Sequence, residues 1–468
     1  MKRLIVVGAG PAGMTLALQL ARAGRPVTLI DARRDFARSL RGDALMPCGQ
    51  EALARMGLWP LLERLPQRGL QGWSIWIEGR ELFRVAEPMG ALQPCRLVRQ
   101  HVLLEALLQE AQTWPTFTWM PGVAVSGLLQ RDQQMDDHGE SGGDGHHDSP
   151  LRIPCKRSRV CGVRLSDGRE LEADLVIGCD GRDSTVRREA GLTLQPVGSP
   201  LHLAWLVMPR EAMAAAAPTA GSHPAPGMAE GGAGDGYPWI SAKGDTESRK
   251  TDAPGVTGGD FLTLVAGGAI ASACIGAGGE LQLGWLLRPE EPLPERSSAA
   301  WAEAIAALAP SALADLLRQR ADQLGRPQRF TVQVAQARQW QRPGVLLLGD
   351  AAHPMSPIRA QGINQALRDS LVAAQELLQV TTRQGQASDH SAIDEAIDAA
   401  CSRIEAQRRP EITRLQALQL DEARQGHWIG HHALLRRSLA WGAALLGPVA
   451  RRVWMARQRP LREGALWL

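Results

Sequence analysis

"RLIVVGAGPAGMTLALQLARAGRPVTLID", residues 3–31, decides how the rest of the chain folds. Arg3–Val7 is a short apolar run, the pattern of a buried strand. Gly8, Gly10 and Gly13 follow in the spacing G-x-G-x-x-G. Met14, Leu16, Ala17, Leu18, Leu20 and Ala21 then form an apolar helix ending near Gly24, and Pro26–Asp31 reads as a second strand. This is a βαβ unit. Gly8 permits the tight turn, Gly10 lets a pyrophosphate approach the backbone, and Gly13 lets helix and strand pack closely; Ala12 shares the loop. The helix N-terminus turns its free N–H groups toward the phosphates. Asp31 ends the second strand, where a carboxylate accepts hydrogen bonds from an adenosine ribose and repels a ribose 2′-phosphate. The loop is therefore expected to hold FAD or NAD rather than NADP.

The rest of the composition narrows the class. The chain has 468 residues, 44% of them hydrophobic, and a net charge of +3. That length supports two or three domains, and the mild charge, with no basic run interleaved with aromatics, sets nucleic-acid binding aside. Cys48, Cys95, Cys155, Cys161, Cys179, Cys274 and Cys401 are scattered and form no CxxC pair. They read as reduced thiols, neither a disulfide framework nor a zinc site, and point to a cytoplasmic setting. Lys2 and Arg3 before an apolar stretch superficially resemble a secretory leader, but glycines and a proline interrupt that stretch. No apolar run is long enough to span a bilayer. Fourteen Trp against five Phe and one Tyr read as compositional bias.

Further along, residues 42–65 and 96–112 are helical in pattern, and residues 70–88 alternate like a hairpin. Residues 131–150 and 211–260 are polar or rich in Ala, Gly and Pro and read as flexible inserts. The histidines at 138, 146 and 147 belong to the first insert, where nothing rigid would hold a metal. "CDGRDSTVRREAGL", residues 179–192, follows a buried strand. "GDAAHPMSPIRAQGINQALRD", residues 349–369, follows another and runs into a helix. After Ser370 the pattern is mostly helical.

These three motifs, in this order, resemble the single-component FAD-dependent monooxygenases, the group around p-hydroxybenzoate hydroxylase and the ubiquinone-pathway hydroxylases. The resemblance covers most of the first four hundred residues. It implies an α/β fold: a Rossmann-like FAD-binding domain with an inserted β-sheet substrate domain and a helical C-terminal region. The corresponding boundaries are 1–69, 95–192 and 334–400 for the FAD-binding domain, 70–94 and 193–333 for the substrate domain, and 401–468 for the C-terminal region. It also implies hydroxylation of an aromatic, quinone-like or polycyclic organic substrate by O2 through a flavin hydroperoxide, with NADPH or NADH as a transient reductant. A reductase of the geranylgeranyl-reductase type and a non-catalytic FAD-binding protein are the alternatives. The chain has no second G-x-G-x-x-G for a nicotinamide and no CxxxxC redox pair.

By the same resemblance, Asp350 hydrogen-bonds the ribityl chain, and Gly349 gives the cofactor access to the backbone. Pro357, Gly362 and Asn364 border the isoalloxazine, the last two through backbone N–H groups at the start of a helix. Asp180 shapes the pocket, Arg41 approaches the flavin, and Arg99, with Gln100 as the neighbouring register, contacts FAD. Arg187 reaches either its own helix or the ligand. No catalytic base is legible: Tyr237 lies in an insert, and His353 occupies a position that is more often structural. Where relatives commonly carry two glycines, this chain has Arg359 and Ala360. The arginine either points into the site, toward an acidic substrate or a nicotinamide phosphate, or points to solvent. Trp73, Trp76, Trp205 and Trp285 lie on strand-like stretches, as sheet core or as pocket lining. The tail from Leu434 to Gly464 carries seven arginines against one glutamate. It either packs on the FAD domain or lies on a membrane surface. Nothing in the pattern sets an oligomeric state.

Overall fold

The computed structural model describes residues 3–36, 43–90, 93–132, 158–214, 257–287, 293–383 and 390–464. Arg41, Tyr237, His138, His146, His147 and the bulk of both expected inserts lie outside them. The insert edges that fall inside are ordered elements. Arg131 and Asp132 complete the strand Val125–Asp132, Arg210–Ala214 is a short helix, and Asp260 opens the strand Asp260–Ala266.

The first half of the molecule is built on a six-stranded sheet in the order 341–342, 345–347, 175–178, 4–7, 27–31, 117–121. All pairs are parallel except the first. Both faces are covered, which is why its strands read as unbroken apolar runs. Leu4 and Val6 face the helices Pro11–Arg22, Gln100–Gln112 and Gln361–Arg383. Ile5 and Val7 face a three-stranded antiparallel sheet of residues 125–132, 158–165 and 170–172. The register pairs Val7 with Gly178, and Gly178 with Leu347. The three turns that follow these residues therefore leave the sheet side by side at its carboxyl edge, where ligands of such sheets bind.

The second sheet has seven strands in the order 328–332, 201–208, 281–287, 269–275, 260–266, 72–77, 80–86. One face packs on the helices Ser298–Ala306 and Ser311–Gln319 around Leu264, Leu283 and Trp301. The other face looks toward the carboxyl edge of the first sheet. The helix His390–His431 runs unbroken through residues 400 and 401, so the expected domain boundary falls inside one helix.

The helices Ala433–Trp441 and Ala443–Glu463 finish the described chain. The last one packs on the hairpin of residues 72–86 as well as on the half built on the first sheet. Gly447 lies so close to the Leu82 carbonyl that a Cβ would stand 2.3 Å from it. Trp454 tilts against Trp73 and Phe83, with ring centroids 6.3 and 5.6 Å apart. The Gln361 side chain donates to the Leu461 carbonyl at 2.7 Å. Arg462 and Glu87 form an ion pair that is almost wholly buried. Because Glu87 cannot regain water there, Arg462→Met is expected to cost about 3–5 kcal/mol, read as a lower denaturation midpoint. Proteolysis of the native variant should start in the final helix.

Candidate active site

The glycine loop shows why each small residue is there. A Cβ on Gly8, whose φ is +101°, would stand 2.4 Å from the Cys179 carbonyl, and one on Gly13 would stand 2.0 Å from the Gly8 carbonyl. Both glycines are demanded by the protein itself. Gly10 is different: its φ of −71° suits any residue, and its Cβ would meet nothing within 4 Å. It opens onto the groove, and no side chain caps the helix that starts at Pro11. Space and free N–H groups at that point fit a pyrophosphate. The Asp31 carboxylate braces the loop, accepting from the Ala9 N–H at 2.7 Å and from the Arg33 N–H at 2.8 Å. It lines the same groove.

Asp180 is a helix cap. It accepts from the Ser184 hydroxyl at 2.5 Å and the Thr185 N–H at 2.7 Å, while bordering the groove. Arg187 reaches neither of its two expected partners. Its guanidinium donates to the Ala351 carbonyl at 2.9 Å and the Arg182 carbonyl at 2.7 Å, binding the second motif to the third. Arg182, which the sequence reading passed over, lies 3.3 Å from the Asp350 carboxylate. Gly349 takes a φ of +59°, and its N–H donates to the buried Asp369 carboxylate at 2.9 Å.

The expected site residues do not all reach the groove. Gly8, Gly10, Ala12, Asp31, Asp180, Gly349, Asp350, Pro357 and Gly362 line one continuous cavity of about 1480 Å³. Gly13 lies behind them, in the helix–strand contact. Arg99 turns away: Glu280, just before the strand 281–287, draws it into an ion pair at 3.0 Å, and Gln100 lines the cavity instead. Asn364 is fully buried, and its side chain is spent on backbone. It accepts from the Met46 N–H at 2.9 Å and donates to the Ala360 carbonyl at 2.7 Å. His353 is buried behind the wall, 2.7 Å from Asp369 and against the Trp340 ring. Arg359 lines the cavity, but protein groups already hold its guanidinium. Its guanidinium lies between the rings of Trp73 and Trp454, at 4.9 and 5.1 Å, and pairs with Glu422 at 2.5 Å. Arg359 and Ala360 hold φ values of 58° and 50°, which glycine adopts without strain. The arginine's contacts offset that strain, and its charge is spent within the protein.

Beyond the nucleotide groove the cavity spreads over the free face of the second sheet, onto Leu203, Trp205, Phe261, Val265 and Leu286. Trp73 and Trp205 line it, whereas Trp76 and Trp285 pack on the opposite, helix-covered face. Among the polar groups of the lining Asp43 stands out. The Gln100 N–H and the Gln282 amide donate to its two oxygens, each at 3.3 Å. Burial pushes its pKa up to about 6, against the lowering by those hydrogen bonds. Asp43, Gln100, Gln282 and Trp205 also line a second cavity of about 270 Å³, so they form the partition between the two. No spacing rule pointed to Asp43; the fold brings it to Gln282.

Comparison with known proteins decides the family. Residues 2–224 and 266–405 match the family described as "FAD binding domain". The chain belongs to that family. This FAD-binding protein is 31% identical to the 6-methylpretetramide 4-monooxygenase of Streptomyces rimosus, over 90% of this chain and 83% of that one. It is 27% identical to the ubiquinone hydroxylase UbiL of Rhodospirillum rubrum, over 87% and 78% of the two chains. Its fold matches that of PqsL from P. aeruginosa, with a TM-score of 0.65, 17% identity and coverage of 94% and 99%. It also matches 2-methyl-3-hydroxypyridine-5-carboxylic acid oxygenase, with a TM-score of 0.64, 19% identity and coverage of 96% and 98%. The protein is an FAD-dependent oxidoreductase, and the open cradle at Gly10 beside Asp31 fits that cofactor.

Two substitutions separate fold from ligand. Gly13→Val is expected to abolish folding, because the clash is with backbone. Gly10→Val should melt like the parent but weaken FAD retention at least ~tenfold, read from the flavin absorbance of the purified protein. Asp369 gives an acid-stability prediction. Burial pushes its pKa up, but the charges of His353 and Arg408 and their hydrogen bonds outweigh burial and hold it at about 2. Its contribution is complete above the ordinary Asp value and is lost as pH falls through about 2. On the linkage scale that is about 2–3 kcal/mol. Asp369→Asn should flatten that limb of the stability-versus-pH curve.

Proposed function

We propose that this chain hydroxylates a bulky, largely apolar aromatic or quinone-like substrate, with FAD as cofactor, O2 as oxidant and NADH or NADPH as a transient reductant. The observation that carries this reading is the continuity of the cavity. One space runs from the Gly8–Gly13 loop, past Gly349 and Gly362, onto an apolar sheet face. Such a space suits a cofactor and an organic substrate in contact, with little water between them. The two relatives are named for 6-methylpretetramide and for ubiquinone, which supports oxygen insertion into a bulky organic molecule. Both names also favour hydroxylation over double-bond reduction.

Bound FAD supplies the redox and oxygen chemistry. The chain supplies position, charge and dryness. Asp31 would receive the adenosine end, and the uncapped helix N-terminus would receive the phosphates. The 23-residue helix Gln361–Arg383 begins at the cavity wall, and its N-terminal dipole favours negative charge beside Gly362. Leu203, Phe261 and Leu286 exclude water. Asp43 holds a proton at its carboxyl below about pH 6 and accepts one above, at the wall where a substrate hydroxyl would need a base.

The first test is the visible spectrum of the purified protein before and after anaerobic addition of NADH or NADPH. Flavin bands that bleach, followed by substrate-dependent oxygen uptake, are the expected result. No flavin after reconstitution with FAD overturns the reading. With a substrate in hand, the parent's kcat/KM should rise through about pH 6. Asp43→Asn should lose that limb while keeping its flavin spectrum.

A further inference from the structure

The final helix is apolar on two sides. Its inner stripe, with Gly447, Ala450, Trp454 and Leu461, sits against the substrate hairpin and the FAD-binding half. Its outer stripe, Leu445, Leu446, Val449 and Val453, follows the same helical spacing and is 43–83% exposed. A helix with water on one side ordinarily keeps that side polar. The preceding helices extend the patch through Trp441 and Leu434, each 80% exposed, and Trp428. An apolar surface of this extent marks an interaction site.

Along the segment that carries the patch the charge has one sign. Residues 423–462 contain no Asp or Glu and eight arginines. Four of those are paired with carboxylates: Arg436 with Glu78, Arg457 with Asp421, Arg459 with Glu463 and Arg462 with Glu87. The other four, Arg424, Arg437, Arg451 and Arg452, are exposed and have no partner among the described residues. Arg452 stands three positions after Val449, at the border of the outer stripe, and Arg80 of the hairpin lies over the Trp441 ring at 5.3 Å. A second copy of the chain would bring like charges together here. An anionic lipid surface attracts each of these arginines and accepts the apolar side chains between them.

The same helices wall the cavity. Ile429, Leu439 and Ala450 line it from their inner side, and Val453 both lines it and is exposed. The outer apolar stripe therefore borders a mouth of the apolar cavity. We propose that the outer face of helices 433–441 and 443–463 docks on an anionic phospholipid bilayer, and that a lipophilic substrate passes from the lipid into the cavity beside Val453. The docking stands on the surface alone, whereas the passage rests on the functional reading above.

The test is co-sedimentation of the full-length flavoprotein with vesicles of phosphatidylcholine, alone or mixed with phosphatidylglycerol. Binding to the mixed vesicles, weakened by salt and absent on phosphatidylcholine alone, is expected. Leu445→Ser with Val449→Ser, and separately Arg451→Glu with Arg452→Glu, should each lower it at least ~tenfold. All four side chains are exposed, so melting temperature and flavin spectrum should not change. No sedimentation with either vesicle overturns docking. So does a solution mass of two chains that falls to one in the Leu445→Ser, Val449→Ser variant, which would make the face a dimer contact. Passage is read from turnover. The serine variant should oxidise a vesicle-embedded substrate more slowly than the parent but a water-soluble one equally fast. Equal rates on both overturn passage. Sedimentation needs no turnover, so a failed monooxygenase reading would leave the docking result standing.

Discussion

A buried carboxylate, Asp369, holds the turn at Gly349 in place. One of its oxygens takes the Gly349 N–H and the His353 ring, and the other takes Arg408, at 2.8 Å. Arg408 continues to Glu411 and to the Gln365 amide, and Arg368 closes on Glu411. All the ionised members of this network are fully or almost fully buried. Charges without water are tolerable only when each has its partner, so the network acts as a unit. Asp369 is on the helix that begins at the cavity wall, and Arg408 and Glu411 are on the long helix behind it. The position of the third motif and the docking of the C-terminal helices are thus one constraint.

That constraint explains why the motif residues are mostly structural. Asp180 caps a helix, Arg187 ties two motifs together, and Asn364 anchors residues 44–46. They shape a groove whose chemistry comes from the cofactor. The side chain best placed to handle a proton, Asp43, has its carboxyl set by residues from three separate stretches of chain: its own, Gln100 and Gln282.

Arg359 shows how a departure from the family pattern is absorbed. Two left-handed non-glycine residues would strain the loop by about 1–2 kcal/mol each. Two tryptophans and Glu422 hold the arginine there, and they come from the second sheet, the final helix and the long helix His390–His431. The C-terminal helices thereby complete the cavity wall, which joins the Arg359 loop to the exposed apolar face of the final helix.

Local order was legible in the sequence because local rules produce it. Spacing alone identifies the βαβ unit, the roles of Gly8 and Gly13, and the Asp31 carboxylate at its strand end. These depend on sterics and on strand and helix periods within a few residues. The seven-stranded sheet was legible only as alternation, since its order joins residues 72–86 to 201–332. The choice of Gln100 over Arg99, the burial of Arg359, the raised pKa of Asp43 and the two-sided final helix were decided by tertiary structure. Each depends on residues far away in the chain: Glu280 for Arg99, Glu422 for Arg359, the burial imposed by the folded cavity wall for Asp43, and the hairpin for the helix. Charge pairing and desolvation act through space, and only folding brings those partners within reach.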